Sequence, residues 1–112
     1  IVYSDENMLE LPMVVLVNKN TASASELFAA SLRDFAGAIL VGETTYGKGV
    51  MQQTTEFNKN GAVVLTVARY KTAASECYDG VGISPDYSIS NESEDIDDQY
   101  NKAVEIAYSL VE

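Results

Sequence analysis

The chain has 112 residues, 46% of them hydrophobic and 21% charged, which fits one small domain with one modest core and disfavours both a two-domain reading and wholesale disorder. Its 17 acidic and 7 basic residues leave a formal net charge of −10, part of it in Glu92, Glu94, Asp95, Asp97 and Asp98. Such a surface repels phosphate backbones, so nucleic acid is not an expected partner. With no histidine, every Ser-His and Cys-His catalytic arrangement is excluded within the chain, and the lone Cys77 can form no intrachain disulfide and provides no paired metal-ligand spacing.

The chain opens at Ile1 without an initiator methionine, a basic leader or an apolar stretch of signal-peptide length, so it reads as an excised piece. Nothing approaches the roughly 20 apolar residues of a membrane span, so no membrane insertion is expected in this segment.

Residues 12 to 17, Pro-Met-Val-Val-Leu-Val, form an apolar, β-branched run suited to a buried strand, and Ala38 to Val41 form a second that ends at Gly42. Between them Ala24, Leu27, Phe28, Ser31, Leu32 and Phe35 recur at helical spacing, and Gly37 follows where a C-cap belongs. A strand, helix, strand unit implies parallel strands with the helix packed on one face. Its strand-to-helix turn, residues 18 to 23, then lies at the carboxyl edge of the sheet, where open α/β sheets place their sites. Val50 to Phe57 and Ala62 to Thr72 read as two strands joined by Asn58-Lys59-Asn60-Gly61, whose Asn-Gly pair signals a hairpin. Ser75 to Pro85, with Gly80 and Gly82, reads as a loop. In residues 96 to 111, Ile96, Tyr100, Val104, Ala107, Tyr108 and Val111 share one face, consistent with a terminal helix docked by that stripe. The fold class expected is α/β.

Ser23 sits where the strand-to-helix turn delivers the first residue of the helix, within Thr21-Ala22-Ser23-Ala24-Ser25-Glu26. Free backbone N–H groups and the positive end of the helix dipole favour a developing oxyanion there. Ser23-Ala24-Ser25-Glu26 equally fits a capping box, in which the serine merely caps the helix, and pattern alone leaves both readings open. Lys48 stands between Gly47 and Gly49 just after the second strand, where glycines allow close approach of the backbone. A lysine acts as a base only where burial or like charge favours its neutral amine; otherwise Lys48 is an exposed turn residue. The segment Gly42 to Lys48 lacks the Ser or Thr that completes a phosphate-binding P-loop, and the Ser-x-x-Lys pattern of β-lactamases has no match. Gln52, four residues beyond Lys48, could hold the lysine amine or be an ordinary polar strand residue.

Taken in order, Val14 to Asn18, Thr21 to Glu26, Asp34, Val41 to Gln52, Leu65 to Tyr70 and Gly80 to Asp86 resemble the tail-specific, C-terminal processing peptidase family, serine peptidases with a Ser-Lys dyad. The resemblance spans roughly residues 12 to 90. It implies Ser23 as nucleophile, Lys48 as general base and Gln52 as the residue orienting the lysine. The Ala24 backbone N–H would be one oxyanion donor, and Ser25 a plain helix residue. It further implies the C-terminal portion of the catalytic domain, part of a crotonase-like/ClpP-like β-α protease core, with the PDZ domain and N-terminal core segments absent from residues 1–112. Protein or peptide substrates, no metal or organic cofactor and a bacterial extracytoplasmic setting, periplasm or cell envelope, follow from the same resemblance. A half-built core exposes apolar faces, so the fragment is expected to be inactive alone and to self-associate as a dimer. The competing expectations are a non-catalytic peptide-binding or assembly module on the same fold and an acyl-CoA enzyme of the crotonase type.

Overall fold

A computed structural model describes residues 10–57, 61–72, 74–93 and 95–111. In chain order the elements are strand β1 (Val14–Val17), helix α1 (Ala24–Ala36), strands β2 (Ile39–Gly42), β3 (Val50–Glu56), β4 (Ala62–Arg69) and β5 (Tyr87–Ser88), and helix α2 (Asp98–Ser109). The class is mixed α/β, as expected. β1, β2 and β5 form a parallel sheet in the order β1-β2-β5, with Val14 opposite Ile39 and Val17 opposite Gly42. The strand, helix, strand unit read from the sequence is therefore present.

Successive side chains of a strand point to opposite faces, and β2 uses both. On one face Leu40 packs with Val17, with Ala29 and Ala30 of α1, and with Tyr78 and Ile83; on the other Val41 packs with Ala103 and Ile106 of α2. β2 is thus covered on both sides, which suits its continuous apolar run. Gly37 ends α1 in the left-handed region at φ 66°, and the Ala38 N–H returns to the Leu32 carbonyl at 3.2 Å. At Gly42, φ is 131° and a Cβ would lie 2.0 Å from the Val17 carbonyl oxygen, so only glycine fits between these two strands. β5 was not foreseen. Asp86 prepares it by taking the Leu40 N–H on its carboxylate at 2.7 Å and donating its own N–H to the Leu40 carbonyl at 2.9 Å.

Both helices occur where their periodicity places them, but the buried faces differ from the stripes read in the sequence. In α1 the fully buried positions are Glu26, Ala29 and Ala30, whereas Phe28 and Phe35 are 66% and 69% exposed. The small alanines let the helix lie close to the sheet, and the phenylalanines fall on the outer side. In α2 the docked residues are Ala103 and Ile106, while Ile96, Tyr100, Tyr108 and Val111 stay exposed. In α1 a face of small residues has outcompeted a face of larger ones, whereas in α2 the docked face, Ala103 and Ile106, is rotated away from the tyrosines.

β3 and β4 pair antiparallel, with Val50 opposite Arg69 and a register irregularity between Met51 and Gln52. The hairpin turn expected at residues 58 to 61 lies, apart from Gly61, outside the described residues. The second strand ends at Arg69 instead of Thr72, because Thr72 turns to donate its hydroxyl to Asp34. Neighbouring residues Val64 and Leu65, which point to opposite faces, are both more than half exposed, so neither side of this ribbon is covered. Its projection explains a Cα radius of gyration of 17.3 Å, against about 13 Å for a compact domain of this size.

Candidate active site

The turn after β1 is held by its own side chains. Thr21 N–H donates to the Asn18 carbonyl at 2.8 Å, Asn18 N–H to Thr21 Oγ1 at 3.0 Å, and Asn20 N–H to Asn18 Oδ1 at 2.9 Å. It delivers Ser23 as the N-cap of α1, one residue before the helix proper, with φ 57° and ψ −117°. Ser23 is the one non-glycine residue with positive φ among the described residues. For a residue with a Cβ such a conformation costs on the order of 1–3 kcal/mol and persists only where the surroundings fix it. Ser25 is exposed on the helix, and the Ala24 N–H finds no acceptor among the described residues, as expected for the first N–H groups of a helix.

Glu26 does most of that fixing. Its side chain is fully buried, and Oε2 accepts the Ser23 N–H at 2.7 Å, the arm of a capping box that the sequence foresaw. The same oxygen takes the Lys48 N–H at 2.8 Å, while Oε1 takes the Gly47 N–H at 2.7 Å and the Thr45 hydroxyl at 2.5 Å. Burial pushes the Glu26 carboxyl up. Hydrogen bonds from Thr45 and from the N–H groups of Lys48, Gly47 and Ser23 together outweigh it and hold the group below the usual carboxylate range. One buried anion therefore ties the serine turn to the loop carrying the lysine.

That loop, between β2 and β3, is pinned along its length. Tyr46 N–H donates to the Thr21 carbonyl at 2.9 Å, Gly80 N–H to the Gly47 carbonyl at 2.8 Å, Ile83 N–H to Thr45 Oγ1 at 2.7 Å, and Gly49 N–H to Asp79 Oδ1 at 3.1 Å. Gly47 has φ 88°, and a Cβ there would come within 2.8 Å of the Gly82 backbone nitrogen. Lys48 is half-buried, and its amine forms no salt bridge among the described residues. Farther along α1, Asp34 accepts the hydroxyls of Thr72 and Ser75, and Arg33 donates to the Ser84 carbonyl at 3.2 Å, fastening the segment after β4 to the helix. Thr72 first and Ser75 second hold the Asp34 carboxyl below its ordinary value.

The residues singled out in the sequence are brought together unequally. Ser23 and Lys48 share Glu26 through their backbones, but no hydrogen bond joins the two side chains. Gln52 is exposed on β3 beside the register irregularity and does not hydrogen-bond Lys48. The partner of the Ser23 hydroxyl is one the sequence reading passed over: Oγ lies 3.1 Å from the hydroxyl of Tyr70. Tyr70 follows β4 and donates its N–H to the Gly49 carbonyl at 3.0 Å. Pairing across the hairpin, Val50 with Arg69, brings residue 70 beside residue 49, so the register was the available signal.

Comparison with known proteins places the chain in a family. The model of peptidase family S41 matches residues 3–89. Carboxyl-terminal-processing peptidase 2, chloroplastic, of Arabidopsis thaliana is 47% identical over 78 residues, which is 70% of this chain and 15% of that protein. Carboxy-terminal processing protease CtpA of Bacillus subtilis is 45% identical over 80 residues, 71% of this chain and 17% of its own length. The chain thus spans less than a fifth of either relative. Among solved structures, the photosystem II D1 C-terminal processing protease superposes with a TM-score of 0.66 at 43% identity, covering 72% of this chain and 21% of that one. Mature CPAF, at 23% identity and a TM-score of 0.61 over 87% of this chain and 19% of its own, shares the fold. Plant chloroplastic and bacterial proteins both occur among these relatives, a wider range than the bacterial setting expected from the sequence.

Proposed function

Because the chain belongs to peptidase family S41, we propose that it is the C-terminal portion of the catalytic domain of a C-terminal processing serine peptidase, with Ser23 as nucleophile and Lys48 as general base. The observation that carries this reading is the strained Ser23 at a helix start, tied through buried Glu26 to the backbone of Lys48. In this mechanism the neutral Lys48 amine takes the Ser23 proton, Oγ attacks a peptide carbonyl, and the ammonium protonates the leaving amine before water releases the acyl-enzyme. The unpartnered Ala24 N–H serves as one oxyanion donor, and Gln52 orients the lysine once the site is complete.

The substrates are proteins or peptides read at their C-terminal tails, and the compartment is extracytoplasmic. In the parent protein a PDZ domain and the N-terminal part of a crotonase-like core complete the site. On its own the 112-residue chain is inactive and dimerises. Support for this comes from the exposed Phe28 and Phe35 and from an apolar groove of about 820 Å³ lined by Leu11, Pro12, Met13, Leu32 and Phe35.

The test is acylation of the full-length parent by a fluorophosphonate probe, read by mass spectrometry, beside Ser23→Ala and Lys48→Ala. Labelling at Ser23 that both substitutions abolish is the expected result. A folded parent that takes no label would leave a peptide-binding module on the same fold as the better description.

A further inference from the structure

Tyr70 is held from three sides. Its N–H is bound to the Gly49 carbonyl at 3.0 Å, its ring meets the buried ring of Tyr78 edge-on with centroids 6.1 Å apart, and it packs against the core beneath α1. Its hydroxyl, the one part that faces the site, reaches two groups: Ser23 Oγ at 3.1 Å and the Lys48 carbonyl oxygen at 3.3 Å.

Proton counting orders these two contacts. A phenol has one hydrogen to give, and a carbonyl can only accept, so the Lys48 contact uses that hydrogen. The Ser23 hydroxyl must then be the donor in the other contact. In the resting site the serine proton therefore points at Tyr70, and Oγ is held by a ring that cannot drift. When a base removes the serine proton, Oγ becomes an acceptor only, and the phenol hydrogen can turn from the Lys48 carbonyl to the new anion. That hydrogen bond, made to a charged oxygen, is stronger than the one given up.

We propose that Tyr70 is a further catalytic residue of the Ser23 site, orienting Oγ at rest and donating its hydroxyl hydrogen to Oγ as the negative charge develops. The proposal rests on the Ser23–Lys48 reading above. The proton balance is simple: the Ser23 hydroxyl turns from Tyr70 toward Lys48, its O–H bond breaks as an N–H bond forms on Lys48, and the Tyr70 O–H bond stays intact while it exchanges one acceptor for another.

The experiment compares the full-length protein with its Tyr70→Phe variant, timing fluorophosphonate acylation at Ser23 over a pH series and measuring peptide hydrolysis and thermal midpoint alongside. Phenylalanine keeps the packing on Tyr78 and removes only the hydroxyl. Loss of a hydrogen bond to a charged oxygen predicts acylation about 10- to 100-fold slower, carried in kcat with KM and the midpoint unchanged. Tyr70→3-fluorotyrosine, a stronger donor of nearly the same shape, is expected to acylate faster than wild type. Acylation of Tyr70→Phe within about twofold of wild type overturns the proposal. Should Tyr70→Phe fail to fold, a fluorotyrosine variant no faster than wild type overturns it instead. A wild-type protein without label at Ser23 removes the Ser23–Lys48 reading and this role with it, whereas a labelled wild type with an equally fast Tyr70→Phe removes the role of Tyr70 alone.

Discussion

Replacing Glu26 by glutamine removes the charge at the centre of the site while keeping the side chain's shape. The carboxylate accepts two hydrogen bonds on each oxygen, from Thr45 and Gly47 on Oε1 and from Ser23 and Lys48 on Oε2. An amide has one accepting oxygen. If that oxygen keeps Ser23 and Lys48, the NH2 group faces the Gly47 N–H and orphans it, while the Thr45 hydroxyl must rotate; the opposite orientation orphans two backbone N–H groups and is worse. One buried unsatisfied N–H, together with two charge-assisted bonds made neutral, amounts to about 3 kcal/mol. That is a large part of the roughly 5–15 kcal/mol that holds a domain folded. Urea unfolding should show a lower midpoint at unchanged slope. A loss under about 1 kcal/mol would refute the assignment of Glu26 as the tie between the two segments. The acid side supplies a second check, because the folded Glu26 carboxyl lies below its ordinary value of 4.5. Its contribution is complete above that ordinary value and disappears as the pH falls through the lowered folded one. Wild type should therefore lose stability in that acid window, and Glu26→Gln should lack this component.

Other consequences are equally open to measurement. Gly42→Ala forces a Cβ to 2.0 Å from the Val17 carbonyl and should cost roughly 3 kcal/mol or more, seen as a lower thermal midpoint or as insoluble protein. Asp34→Asn weakens the hold on Thr72 and Ser75; a loss of about 1–2 kcal/mol is expected, with faster hydrogen exchange at the Ser75 N–H, and unchanged exchange would contradict it. If the isolated chain dimerises as proposed, Phe35→Glu, at a position 69% exposed, should leave the fold within about 0.5 kcal/mol and give a monomer in light scattering where wild type gives a dimer. A persistent dimer would place the contact elsewhere.

The parallel β1-α1-β2 unit could be read in advance because two short β-branched runs flank a helical period closed by Gly37. Which side of the helix is buried could not. Hydrophobic periodicity weighs Phe28 and Phe35 above Ala29 and Ala30, yet close helix–sheet approach favours the alanines. In α2 the docked residues are Ala103 and Ile106 and not the tyrosines. At the site, the Ser23–Glu26 arm of the cap is local and visible in four consecutive residues. The remaining partners of Glu26 lie 19 to 22 positions away, and Tyr70 stands 47 positions from Ser23, so both depend on loop paths and strand register that no short pattern encodes. β5 is two residues long and is set by Asp86, too short for any alternation to announce it.

The uncovered ribbon of β3 and β4 has its two roots at the site: Lys48 lies two positions before Val50, where one strand begins, and Tyr70 directly follows Arg69, where the other ends. Seven residues of β3 at strand rise make a lever about 24 Å long, so a tilt of about 10° at the root sweeps the far end through about 4 Å. Mechanically, the ribbon converts a small adjustment between the lysine and the tyrosine into a large displacement at a distance. Whatever restrains its outer end restrains those two residues as well.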